Sequence, residues 1–112
     1  MLNIDEKQTV ANSKRVISSY ENYKRLSQRD VDNDVTKDAL KHVEAIESSL
    51  EQTNSDLYKF ILENRFINGY KYLDIAKHVG LGHSQFGRKQ HEALLAFAEA
   101  YPLENLIVLQ EV

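Results

Sequence analysis

The stretch Tyr72-Leu-Asp-Ile-Ala-Lys-His-Val-Gly-Leu-Gly-His-Ser-Gln-Phe-Gly-Arg-Lys-Gln-His-Glu-Ala-Leu-Leu94 decides how this chain is read. Its first eight residues predict a short helix over 72–79, with Leu73, Ile75, Ala76 and Val79 turned inward. Gly80-Leu81-Gly82 is a tight turn. A longer helix is then expected from about 83 to 101, burying Phe86, Ala93, Leu94, Phe97 and Tyr101, and Pro102 ends it. A short helix, a glycine turn and a longer helix are the parts of a helix-turn-helix. Small Ala76 lets the two helices approach and Leu81 plugs the turn. Phe86 is the first inward residue of the second helix, and Ile75 and Val79 close the core behind it.

Upstream, Leu57, Tyr58, Phe60, Ile61, Leu62 and Phe66 lie on a helix that Thr53, Asn54 and Ser55 can cap. Asn68-Gly69 stops it, glycine supplying the left-handed residue. Before that, Val35, Ala39, Val43, Ile46 and Leu50 form one stripe of a helix over about 35–51. This stripe either packs within the chain or pairs with a second copy. Asp30-Val-Asp-Asn-Asp34 is a turn. Residues 5–28 read as one helix with Val10, Val16, Ile17, Tyr20, Tyr23 and Leu26 spaced helically, and with Lys24, Arg25 and Arg29 at its end. The apolar tail (Leu106, Ile107, Val108, Leu109) is left open between strand, helical turn and docking segment. The expectation is therefore an all-α chain: an N-terminal helical region over 1–52, the helix-turn-helix region over 53–102, and a short apolar C-terminal tail over 103–112, together one compact domain.

Composition agrees: the 112 residues contain one proline and four glycines, and helix formers dominate. The absence of cysteine excludes disulfides and thiolate metal sites. No apolar run approaches the roughly 20 residues of a membrane span, and the N-terminus lacks the pattern of a signal peptide. The net charge of −3 is unevenly spread. Residues 31–56 hold seven acids against Lys37 and Lys41, a net of −5, whereas residues 69–91 hold Lys71, Lys77, Arg88 and Lys89 against Asp74, a net of +3. Residues 92–112 add four glutamates and no base. A basic island thus coincides with the helix-turn-helix, which points to double-stranded DNA.

In such a unit the second helix enters the major groove by its N-terminal turns. With Phe86, Gln90 and Ala93 facing the scaffold, His83, Ser84, Gln85, Arg88 and Lys89 face outward as base contacts. Glutamine suits adenine and arginine suits guanine, since each can make two parallel hydrogen bonds to that base. Lys71, Tyr72 and Lys77 stand where phosphate contacts position the protein. Enzymatic chemistry is not expected. His42, His78, His83 and His91 are scattered and lack carboxylates at ligand spacing, so they do not form a metal-site pattern. Gly80-Leu-Gly82 lacks the strand, third glycine and lysine of a phosphate-binding loop. No cofactor is implied.

Residues 57–94 resemble the promoter-reading C-terminal domain of sigma factors. The match is carried by Leu57, Ile61, Leu62, Arg65 and Phe66, then by Gly69, Tyr72, Ile75-Ala76 and Val79-Gly80-Leu81. More closely, nearly the whole chain resembles the ArpU family of phage-encoded regulators of late packaging and lysis genes. That likeness rests on Tyr20-Glu-Asn-Tyr-Lys-Arg-Leu26, Ile61 to Asn68, Ser84-Gln-Phe-Gly-Arg88 and, most specifically, Glu92-Ala-Leu-Leu-Ala-Phe-Ala-Glu-Ala-Tyr101. The chain departs from the family at Gly82, where a serine cap is usual, and at Gly87, where a larger and often aromatic residue is expected. The resemblance implies a sequence-specific DNA-binding activator in the cytoplasm of a bacterial host. RNA polymerase or sigma factor, and a second copy as a homodimer, are its further expected partners. Two alternatives stand beside it. One is a packaging protein resembling a small terminase subunit; the other is an interaction module that binds sigma factor or polymerase without touching DNA.

Overall fold

The computed structural model describes residues 3–30 and 33–110, and all its regular elements are helical. They are α1 (Glu6–Ser18), α2 (Tyr20–Ser27), α3 (Asp34–Glu51), α4 (Asp56–Leu62), a π-helical turn (Glu63–Ile67), α5 (Tyr72–His78) and α6 (His83–Ala100). Among the described residues the one β feature is an isolated antiparallel bridge between Ile4 and Leu109.

Local side-chain caps set the starts of α1, α3 and α4. The Asp5 carboxylate accepts from the Gln8 amide at 3.0 Å, the Asn33 side chain from the Thr36 amide at 3.0 Å, and the Ser55 hydroxyl from the Tyr58 amide at 3.2 Å. Each satisfies one amide of a first turn that has no partner within the helix. Of the expected capping trio, Ser55 is the N-cap of α4. Asn54 adopts the left-handed conformation (φ 57°) after α3, and the Thr53 hydroxyl donates back to the Leu50 carbonyl at 2.8 Å. In the expected turn over 30–34, Val31 and Asp32 lie outside the described residues.

The single helix expected over 5–28 is two. The chain breaks at Ser19, because α1 packs along α6 while α2 packs along α3, and one straight helix cannot face both. Val10, Val16 and Ile17 of α1 enter the main core with Ala45, Ile46 and Leu50 of α3, Leu62 of α4, and Ala93, Leu94, Phe97 and Ala98 of α6. The stripe on α3 is thus covered within the chain. Val35 is the exception: at the first turn of α3 it is 54% exposed. A smaller cluster of Ile61, Ile75, Ala76 and Phe86 holds the α4–α5–α6 unit together. Ile61 and Leu62, adjacent on α4, point into different clusters, so α4 and α6 each serve both.

The tail, open on periodicity, is extended and docks on α1. The Asp5 amide donates to the Val108 carbonyl at 2.7 Å and the Gln110 amide to the Asn3 carbonyl at 2.8 Å. Buried Thr9 accepts from the Val108 amide at 3.0 Å, and the Asn12 side chain donates to the Leu106 carbonyl at 3.1 Å. Leu106 is fully buried in the main core. Glu111 and Val112 lie outside the described residues. Leu106→Ala is therefore expected to lower the unfolding free energy by about 2–5 kcal/mol, through lost burial plus the cavity left behind. Urea titration followed by circular dichroism measures it, and a loss below about 1 kcal/mol would mean that the tail is not part of the core.

Candidate nucleic-acid interface

α5 ends because Gly80 takes φ +73°, a conformation that costs glycine little. Its amide donates to the Lys77 carbonyl at 3.1 Å, and the Leu81 amide to the Ala76 carbonyl at 2.9 Å. This pair of bonds closes the helix end and reverses the chain within a few residues. Gly82 then starts α6 without a side-chain cap; instead its own amide donates to Gln85 Oε1 at 3.4 Å. Ala76 and Phe86 are buried between α5 and α6, with Leu81 and Val79 half-buried over them, as the spacing predicts. Leu73 does not follow that expectation and is 65% exposed. A helix of two turns has one inward face, which Tyr72, Ile75, Ala76 and Val79 occupy. Leu73 follows Tyr72 by about 100° around the axis and points away.

The sequence-predicted contacts fall into two groups. His83, Ser84, Gln85 and Arg88 are exposed on the first two turns of α6, and Lys71 and Lys77 are exposed at the start and outer side of α5. The first turn of α6 carries no acidic residue, so no side chain there offsets the positive end of the helix dipole. Lys89 and Tyr72 are engaged with the protein. Lys89 is half-buried and donates to Glu92 at 3.4 Å. The Glu92 carboxyl is held below its ordinary range, chiefly by the hydrogen bond it accepts from the Tyr58 hydroxyl at 2.8 Å and then by Lys89 and Arg88. Glu92 therefore stays ionised beside the basic side chains.

The Tyr72 hydroxyl donates to the His83 carbonyl at 2.6 Å, and its ring meets Phe86 edge-on with centres 4.7 Å apart. This packing accounts for Gly87. A methyl group there would lie 2.6 Å from the Tyr72 oxygen, so the aromatic side chain above this position comes from α5. In a Tyr72→Phe background the nearest ring carbon stands 3.8 Å away. Gly87→Ala should then stabilise the chain by roughly 0.5–1 kcal/mol through helix propensity alone. With the hydroxyl present the same change should be net destabilising, a coupling of about 1 kcal/mol or more in a double-mutant cycle. Equal effects in both backgrounds would show that the two positions do not touch.

Arg65, met in the sequence only as part of the scaffold segment, is central to this geometry. Its Nε donates to Gln90 Oε1 at 3.1 Å and its Nη1 to the Tyr70 carbonyl at 2.8 Å. Among Lys59, Glu63 and Asn64 on the same segment, Arg65 does not stand out in the sequence, and nothing there names Gln90 as its partner. The four histidines are dispersed: His42 stacks on Tyr23 and His78 on Phe60, His83 lies tilted against Tyr72, and His91 meets Glu6 at 2.9 Å. Among the described residues no group of three or more potential ligands could hold a metal, and no helix is long and apolar enough to cross a membrane. In comparison with known proteins, the chain matches no family model, no curated protein and no solved structure.

Proposed function

We propose that this chain is a sequence-specific DNA-binding regulator of transcription, an activator of phage or prophage late genes as its resemblance to the ArpU family implies. One observation carries the DNA-binding reading. The first two turns of α6 expose Ser84, Gln85 and Arg88 beyond a turn braced by Gly80 and Phe86, and Lys71 and Lys77 stand exposed on the adjoining helix. Such a helix end presents base-reading side chains to the major groove while the lysines meet phosphates. One copy offers few cations, so its binding should be weak and steeply salt-dependent unless a second copy or RNA polymerase adds contacts. Exposed Tyr70 and Leu73, 55% and 65% accessible beside the same helices, favour a second reading as a module that binds polymerase or sigma factor directly.

The test is retention of the purified protein on duplex fragments from its own genomic neighbourhood, at 50 and 200 mM salt with competitor DNA. One fragment should be preferred, with affinity falling on the order of 10-fold or more between the two salts if several phosphates are contacted. Equal binding to all fragments, or none, would shift the conclusion to the interaction module.

A further inference from the structure

The π turn that ends the α4 scaffold places one side chain where no ion pair explains it. Its marker is the Asn68 amide, which donates to the Glu63 carbonyl at 2.9 Å, five residues back. Within this turn Phe66 and Ile67 pack on the main core, and the Arg65 side chain runs beside the Phe66 ring to reach α6. No carboxylate lies in salt-bridge range of Arg65 among the described residues. Its donors go to Gln90 on α6 and to the Tyr70 carbonyl at the corner before α5, and its guanidinium lies 5.7 Å from the Tyr72 ring centre and 5.5 Å from that of Phe66. Tyr72 in turn holds the His83 carbonyl.

α6 is thus fastened at two points, His83 through Tyr72 and Gln90 directly, and both fastenings meet at Arg65. Ser84, Gln85 and Arg88 lie between them. We infer that Arg65 is a positioning residue that fixes the rotation and insertion depth of the recognition segment 83–90 relative to the Tyr70–Lys71 corner, without itself touching DNA. The role needs a planar fork whose N–H groups point in fixed directions while its face lies against a ring. A lysine keeps the charge and loses this geometry.

The inference rests on the DNA-reading proposal for its binding measurement and is independent of it for a second measurement, amide hydrogen exchange. In full-length Arg65→Lys, the bonded amides over 86–90 should exchange on the order of 10-fold faster while those of α3 stay unchanged. The ratio of affinity for the preferred fragment to affinity for unrelated duplex should fall about 10-fold, as expected when one good base contact is misaligned, with the salt slope unchanged. Gln90→Ala, which removes one of the two polar contacts and keeps Arg65, should shift both readouts in the same direction by less. It serves as the test should the Arg65 variants fail to fold. Unchanged exchange over 86–90 in both variants would overturn the inference. So would wild-type behaviour of Arg65→Lys together with a salt slope lowered by about 0.9 in Arg65→Gln, since that pattern marks a direct phosphate contact. Were the unaltered protein to show no fragment preference, the DNA reading would fail while exchange alone still decided the role of Arg65.

Discussion

Phe97→Ala is expected to destabilise the chain by about 3–5 kcal/mol, the range for truncating a fully buried phenylalanine. Phe97 is fully buried on the last turn of α6 and stacks on Tyr101, with ring centres 5.6 Å apart. It belongs to the cluster that joins α1, α3, α4 and the tail. Truncation removes a large apolar surface from that junction. The surrounding side chains come from helices anchored elsewhere, and they cannot collapse far into the space. Against a total stability of about 5–15 kcal/mol for a domain of this size, the variant keeps only a fraction of its margin. Its urea midpoint should drop with little change in slope. Leu73→Ala is the matched control: 65% exposed on α5, it should change stability by less than about 0.5 kcal/mol. Comparable losses at the two positions would contradict the packing of α5 described above.

Arg88→Glu is expected to weaken binding to the preferred fragment by on the order of 100-fold or more. A good two-bond contact between arginine and guanine accounts for about 1–3 kcal/mol, and the reversed charge adds repulsion from the phosphates. Arg88 is exposed on the second turn of α6 and makes no hydrogen bond or ion pair among the described residues, so folding should survive the change. Its stability is expected to stay within about 0.5 kcal/mol of the parent, read by thermal or urea denaturation. Arg88→Lys should fall between the two, because lysine keeps the charge and loses the paired hydrogen bonds. Full retention of the preferred fragment by the glutamate variant would remove α6 as the reading element and favour direct binding to polymerase or sigma factor.

Much of this architecture was legible along the chain because it is governed by near neighbours. Gly80 and Leu81 close α5 through bonds to Lys77 and Ala76, Ser55 starts α4 through a bond three residues away, and Phe86, Ala93, Leu94 and Phe97 lie on one face by helical rotation alone. The outward set of His83, Ser84, Gln85 and Arg88 follows from the same rotation. These residues are placed by interactions within one or two turns, and residue order displays those directly.

Tertiary packing decided the rest. Ser19 carries no breaking signal; the helix ends there because the two segments pack on different partners, α6 and α3. Residues 63–67 have the composition of an ordinary helix, yet they form a π turn whose Asn68 amide bonds back to Glu63, with Phe66 packed on the main core and Arg65 bonded to α6. Tyr72 resembles a surface phosphate ligand until His83, eleven residues on, accepts its hydroxyl. The tail has four apolar residues and no period, and it becomes extended because Thr9 and Asn12, almost the whole chain away, supply its hydrogen bonds. By itself the sequence determined where most helices begin and end and which side of α6 faces the core, since caps and periodicity act over about four residues. Only the tertiary structure decided which surfaces those helices meet, because a contact between residues 11 to 99 positions apart leaves no trace in the order of either one's neighbours.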